Sequence, residues 1–201
     1  NIEKKSIDED LTLGTVFNFG TFCGYPDYNL AKDHSDVQWV GYDRETLAIE
    51  MNRKAFQSDN LLFIDGDFHR LMSRLKPKSA DKTMMLCHVR AFTEMMPKKF
   101  QSVYEAARDR RVKWLVGTEM IGSNPISSQY FQDGIEEKRS DIISNQTTSH
   151  DYRYFLDQAG YEIVEQTDEP IISYHAVPMA FPLMPFLYST VFRTYRARLK
   201  T

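Results

Sequence analysis

Thr15-Val16-Phe17-Asn18-Phe19-Gly20-Thr21-Phe22-Cys23-Gly24 is the stretch that decides the fold. Its first half is β-branched and aromatic, the composition of a buried strand, and Gly14 and Gly20 bound the run Thr15 to Phe19. Its second half carries glycines that permit a tight turn and let a ligand approach the backbone closely. A second apolar run, Val37 to Tyr42, ends on Asp43, which lies 19 residues beyond Gly24. A carboxylate at that place, after the second strand of a βαβ unit, can accept both hydroxyls of a ribose. Between the runs Tyr28 to His34 has room for a short helix. After Asp43, Glu45 to Phe56 sets Leu47, Ala48, Met51 and Ala55 on one helical face.

Outward from this unit the chain keeps alternating strands with helices, the pattern of a parallel sheet covered on both faces. Leu61 to Ile64 reads as a third strand running into Asp65-Gly66-Asp67, Thr83 to Val89 as a fourth, and Val112 to Val116 as a fifth. A helix opening at Pro97 carries Phe100, Val103, Tyr104 and Ala107 at i, i+3, i+4 and i+7. Residues 122–149 break the rhythm with Gly, Ser, Asn, Pro and mixed charge, and read as a lid or substrate loop. A helix capped by Ser149 and closed by Gly160 leads into a strand, Tyr161 to Glu165. Ile171 to Val177 follows after only five residues, too few for a parallel crossover, so this pair must be an antiparallel hairpin. The tail, 183–200, sets Tyr188, Val191, Phe192, Tyr195 and Leu199 at helical spacing among Arg193, Arg196, Arg198 and Lys200. It reads as a basic amphipathic helix docked on the domain, and a homodimer through it stays open. The expected architecture over 1–201 is one α/β domain, a Rossmann-like, mostly parallel seven-stranded sheet with a terminal antiparallel hairpin and helices on both faces.

Composition agrees with a single globular unit. The chain has 201 residues, 42% hydrophobic and 26% charged, against about 150 for a typical domain. With 25 Lys+Arg against 28 Asp+Glu and a net charge of −3, no bulk basic field attracts nucleic acid. The apolar stretch Met179 to Phe192 spans 14 residues and contains Pro182 and Pro185, short of the roughly 20 a membrane-spanning helix needs. Cys23 and Cys87 are too few for a disulfide framework, and no charged stretch followed by an apolar one opens the given sequence, so the expected compartment is the reducing cytoplasm. His34, His69 and His175 stand in no metal-ligand spacing.

Ligands of such sheets bind beyond the carboxyl ends of the strands. The exits offer Asn18, Gly20, Phe22 and Gly24 after strand one, Asp43 after strand two, and Asp67 with Phe68 after strand three. Asp67 suits an exocyclic amine such as adenine's, and Phe68 suits a ring face. From about Thr15 to Val177 these residues resemble the class I S-adenosylmethionine-dependent methyltransferases. That family's acid followed by Gly-x-Gly-x-Gly is similar to Asn18-x-Gly20-x-Phe22-x-Gly24, its ribose acid to Asp43, and its Gly-Asp-Ala segment to Gly66-Asp67-Phe68. Phe155 to Val164, with Ala159-Gly160-Tyr161, resembles its late helix-Ala-Gly-Phe-strand signature. The resemblance implies S-adenosylmethionine as cofactor, with these residues around it. Two positions depart from the pattern: Asn18 stands for the acid and Phe22 for the middle glycine.

Methyl transfer needs an acceptor held in line with the methyl group and, for a hydroxyl, a base. His88, at the end of strand four, is the first candidate base and His150 the second. Each has an ordinary structural reading as well, as a hydrogen-bonding residue at a strand end or a solvated one at a helix start. Glu119, Tyr130 and Phe131 could line the substrate side, and Asn124-Pro125-Ile126 reads as a loop turn. No carboxylate lies in Val89 to Phe92, which argues against a magnesium-dependent subclass. The reading is methyl transfer to a small-molecule acceptor, on oxygen. The alternative is a methyltransferase-like domain without catalysis that binds or scaffolds, and a nicotinamide-dependent oxidoreductase ranks last.

Overall fold

The computed structural model describes residues 2–89, 91, 95, 97–121, 140–144, 147–170 and 191–201. Along the chain run α1 (Ile2–Glu9), β1 (Leu13–Phe19), α2 (Tyr25–Asp33), β2 (Gln38–Tyr42), α3 (Thr46–Ala55), β3 (Leu61–Ile64), α4 (Phe68–Arg74), β4 (Thr83–Val89), α5 (Pro97–Asp109) and β5 (Trp114–Ile121). They are followed by β6 (Ser140–Ser144), β7 (Thr147–His150), α6 (Tyr152–Gln158), β8 (Tyr161–Pro170) and β9 (Val191–Leu199). Seven strands form one sheet in the order β3-β2-β1-β4-β5-β9-β8. β1 to β5 pair parallel, and β9 runs antiparallel between β5 and β8.

Alternation along the central strands builds two cores. Phe17, Phe19, Met84, Leu86 and Leu115 face α4, α5 and α6, which supply Met72, Val103, Tyr104, Ala107, Phe155 and Leu156. Val16, Met85, Cys87 and Val116 point the other way and meet Ile7 of α1 and Ala31 of α2. Burying apolar runs on both faces is what a parallel sheet requires, and it explains why β1 and β4 read so plainly as strands.

The tail differs from expectation. Residues 183–190 lie outside the described residues, but 191–199 are strand β9, not helix. Tyr195 and Ala197 are fully buried on the α5 and α6 side, while Arg196, between them, lies over the Trp114 ring. The physical cause is the neighbour across the sheet. In register, Arg193 faces Asp168, Arg196 faces Glu165 and Arg198 faces Glu162, each pair within ion-pair distance. Cross-strand charge pairs of this kind favour one pairing and one register. A strand enclosed between β5 and β8 also offers no helical surface for a dimer. The antiparallel partner of β8 is therefore Val191–Leu199, and β8 itself continues through the residues expected to turn; Ile171 to Val177 falls outside the described residues.

Smaller differences follow. Asp151, not Ser149, caps α6, its carboxylate accepting the Tyr154 N–H at 3.1 Å, and His150 ends strand β7 instead of starting a helix. The described end of the expected lid, from Ser140, is the two-stranded antiparallel pair β6-β7; 122–139 lies outside the described residues. α1 and α4 were not expected, and β5 starts at Trp114 and runs to Ile121. Among the described residues no helix is long and apolar enough to cross a membrane, and no cluster of His, Cys, Asp and Glu could hold a metal ion.

Two local features fix the strand ends that matter. Gly117 of β5 pairs with His88 of β4, and a Cβ there would sit 2.6 Å from Tyr195 Oη and run into the imidazole. After β1 the turn is braced from α2. The carboxylate of Asp27, 2% exposed, accepts from Asn18 Nδ2 at 2.8 Å and from the Thr21 hydroxyl. Burial raises the Asp27 carboxyl to about 6 against these two hydrogen bonds.

Gly117→Ala should lower stability by about 1 to 3 kcal/mol, the cost of overpacking, seen as a lower urea midpoint at unchanged slope. Asp27 gives a pH signature. Its folded value, about 6, exceeds the ordinary carboxylate value near ~4, so the folded state binds this proton more tightly than the unfolded chain. Stability then falls as pH rises from about 4 to about 6, by roughly 2 to 3 kcal/mol in total. Asp27→Asn removes the titrating group, keeps one accepting oxygen and turns the other contact into one in which its NH2 donates to the Thr21 hydroxyl; it should flatten that slope in urea melts across pH 4.5 to 7.5 (roughly the titration interval), and an unchanged slope removes Asp27 as its source.

Candidate functional site

The exits of β1 to β4 open on one cleft of about 790 Å³. Asp43, immediately after β2, anchors one wall. Its Oδ1 accepts the Glu45 N–H at 3.1 Å and its Oδ2 accepts the Phe22 N–H at 3.0 Å. Each carboxylate oxygen has two lone-pair sites, so one remains on each oxygen for a ligand. Two acceptor sites spaced across one carboxylate match a vicinal diol.

The floor is aromatic. Phe19 and Phe68 meet edge-on with ring centroids 4.9 Å apart, and Tyr42 lies 5.2 Å from Phe19 and 5.8 Å from Phe68. Tyr42 Oη donates to the Gly66 carbonyl at 3.0 Å, tying β2 to the turn after β3. Burial, followed by the charges of Asp43 and Asp67, pushes the Tyr42 phenol up, so it stays a donor. Val89, Ala91, Met95 and Val103 add apolar surface, and Arg44, His69 and Lys99 line the cleft as well. His69 Nε2 lies 3.3 Å from Ser102 Oγ. A polar carboxylate wall beside an aromatic floor suits a sugar joined to a planar base.

Of the residues singled out in the sequence, Gly20, Phe22, Asp43, Asp67 and Phe68 line this cleft. Gly20, at φ 81, approaches Ala91 so closely that a Cβ would fall 2.9 Å from the Ala91 Cβ. Asn18 and Gly24 do not line it. Asn18 points to Asp27, and Gly24, at φ 62, starts α2. His88 is fully buried and does not line the cleft either. Its Nδ1 lies 2.6 Å from Glu119 Oε1 and its Nε2 2.8 Å from Tyr195 Oη, which in turn meets Tyr104 Oη. Only its neighbour Val89 faces the cleft. Glu119, expected near the substrate side, is buried in the same group. The side chains of His150, Tyr130 and Phe131 lie outside what is described. The sequence reading missed Asp27 and Asn52, the braces of the glycine turn, because both act across helices and no local spacing marks them.

No family model matches the chain and no curated protein matches it. Solved structures do. An S-adenosylmethionine-dependent methyltransferase from Mesorhizobium loti aligns over 98% of this chain and 96% of its own, at 11% identity and TM-score 0.63. Magnesium protoporphyrin IX methyltransferase from Synechocystis PCC 6803, solved with S-adenosylmethionine bound, aligns over 99% of this chain and 76% of its own, at 11% identity and TM-score 0.59. The cyclase SpnF aligns over 100% and 81%, at 14% identity and TM-score 0.66. Identities this low speak for architecture alone, since one architecture hosts unrelated chemistries. What they establish is that this chain has the class I S-adenosylmethionine-dependent methyltransferase fold.

Proposed function

We propose that the cleft binds S-adenosylmethionine and that the chain transfers its methyl group to a small-molecule acceptor, on oxygen. The observation that carries this reading is Asp43, with one acceptor site left on each oxygen at the exit of β2. There it would hold the ribose hydroxyls. Asp67 and Phe68 would take the adenine amine and ring face, and the backbone around Gly20 the remainder of the cofactor. Support also comes from structural neighbours that carry the molecule, among them LepI with S-adenosylmethionine and a Brevibacillus brevis O-methyltransferase with S-adenosylhomocysteine. The cofactor, when bound, supplies an electrophilic methyl on a sulfonium.

The chain's own contribution is position. In-line placement of an acceptor is worth several kcal/mol of barrier, on the order of ~7 to 11 in favourable cases, without any covalent participation. His88, sealed among Glu119, Tyr195 and Tyr104, serves that end in this reading as a positioning residue on the strand that brings Val89 to the cleft, not as the base. The free thiols Cys23 and Cys87 suit the cytoplasm, where we place the protein. The non-catalytic binding module remains the second reading, and the observation favouring it is Phe22 standing where the fold's pattern has glycine.

Calorimetric titration of the chain with S-adenosylmethionine, S-adenosylhomocysteine and oxidised nicotinamide dinucleotide should give saturable binding of the first two alone. Absence of binding overturns the cofactor assignment. Asp43→Ala should weaken S-adenosylmethionine about 10- to 150-fold, the scale of hydrogen bonds to a charged group. Equal affinity in that variant removes Asp43 from the ribose.

A further inference from the structure

Phe22 is an outlier in three ways at once. It occupies the left-handed region at φ 45, one of two described non-glycine residues with positive φ. It is 75% exposed although it is a phenylalanine. It lines the cleft, next to Gly20 and Asp43. An L side chain in that region costs free energy that glycine would not incur.

Nothing in the fold explains the ring. The backbone of Phe22 is held by groups that would hold any residue. Its N–H donates to Asp43 Oδ2 at 3.0 Å, and its carbonyl accepts from Asn52 Nδ2 at 2.9 Å. Asn52 is itself 3% exposed on α3, so this clamp is rigid. Glycine would suit the clamp better, and a ring this exposed adds nothing to the core. A strained conformation at the rim of a cleft, fixed on both sides, aims its side chain.

Resting on the cofactor reading above, we propose that Phe22 is an aromatic cover: its ring packs on the cofactor bound beside Asp43 and determines how tightly this chain holds it. The clamp couples the two contacts. The carboxylate that receives the ribose also receives the Phe22 N–H, so the ring and the ribose acceptor sit in fixed relation. The apolar area that the ring presents to water in the free cleft is then buried against the ligand, the usual source of affinity from an aromatic wall.

The test uses the full chain, S-adenosylmethionine and S-adenosylhomocysteine as probes, and three variants. Phe22→Gly and Phe22→Ala should each weaken both ligands about tenfold, the scale of covering most of one phenyl ring, whereas Phe22→Tyr should bind as the parent does. Phe22→Gly should melt about 2 to 4 °C above Phe22→Ala, because both lack the ring and only alanine keeps the left-handed strain. The two variants then share one loss of affinity while differing in stability, so the affinity follows the ring and not the backbone strain, which a merely structural residue would not show. Parent-level or tighter binding by Phe22→Gly overturns the proposal and makes the ring an obstruction, the result that favours the non-catalytic module. Failure of the parent chain itself to bind either ligand overturns the cofactor reading as well, and so separates the two.

Discussion

A buried polar chain holds the sheet together where its direction reverses. Glu119 on β5, His88 on β4, Tyr195 on β9 and Tyr104 on α5 are all fully buried, and in that order each meets the next. Burial first, with the charge of Glu119 adding to it, pushes the phenols of Tyr104 and Tyr195 well up, so both remain hydroxyl donors. A half-formed group of this kind would leave desolvated polar atoms unpaired, a cost of about 1 to 3 kcal/mol for each. The four elements therefore gain from assembling together, and the antiparallel strand from the tail is fixed to the parallel sheet by chemistry as well as by pairing. Gly117 is the steric condition for it. The same group fixes the end of β4, from which Val89 and Ala91 reach the cleft.

A second constraint acts at the turn after β1. In the family pattern an acid sits at the end of the first strand. Here that place holds Asn18, and a carboxylate comes instead from Asp27 on α2, with Thr21 completing the contact. The turn is thus held by a charge-bearing group on the helix it leads into. Asn52 and Asp43 hold its middle, at Phe22. Each brace comes from a different element, so the turn takes its shape from α2, α3 and β2 jointly, and the glycines at 20 and 24 supply only the freedom to adopt it.

Much of this was legible in the sequence where the signal is local. β3 and β4 fall on the expected residues, Leu61–Ile64 and Thr83–Val89, because an apolar run closed by polar residues has one plain reading in a doubly covered sheet. Asp43, Asp67, Phe68 and Gly20 were placed at strand exits and do line one cleft. The tail was not legible. Tyr195 and Leu199 satisfy a helical period and a strand period alike, and the arginines look like a basic helix end until Asp168, Glu165 and Glu162 are set opposite them. That information lies about 30 residues away in the chain, which no periodicity can report. α4 escaped for a related reason: its seven residues are too few to show a face, and its stability comes from Met72 packed in the core. His88 looked reactive because its type and place suit a base, while the partners that bury it come from β5, β9 and α5.

The cleft limits the chemistry further than the fold does. A cyclase and several methyltransferases share this architecture at comparable TM-scores, so strand order says nothing about which bond is made. What separates the possibilities is the arrangement of groups. Acceptors gather at the exits of β2 and β3, on Asp43 and Asp67; aromatic and apolar surface runs between and beyond them, from Phe19 and Phe68 to Met95 and Val103. In the proposed reading these acceptors take a diol and an amine, and the apolar surface takes the planar base. Arg44, His69 and Lys99 also line the cleft, so cationic side chains lie within reach of whatever it holds. In the proposed reaction the electrophile arrives already activated, and orientation is then the main demand on this arrangement.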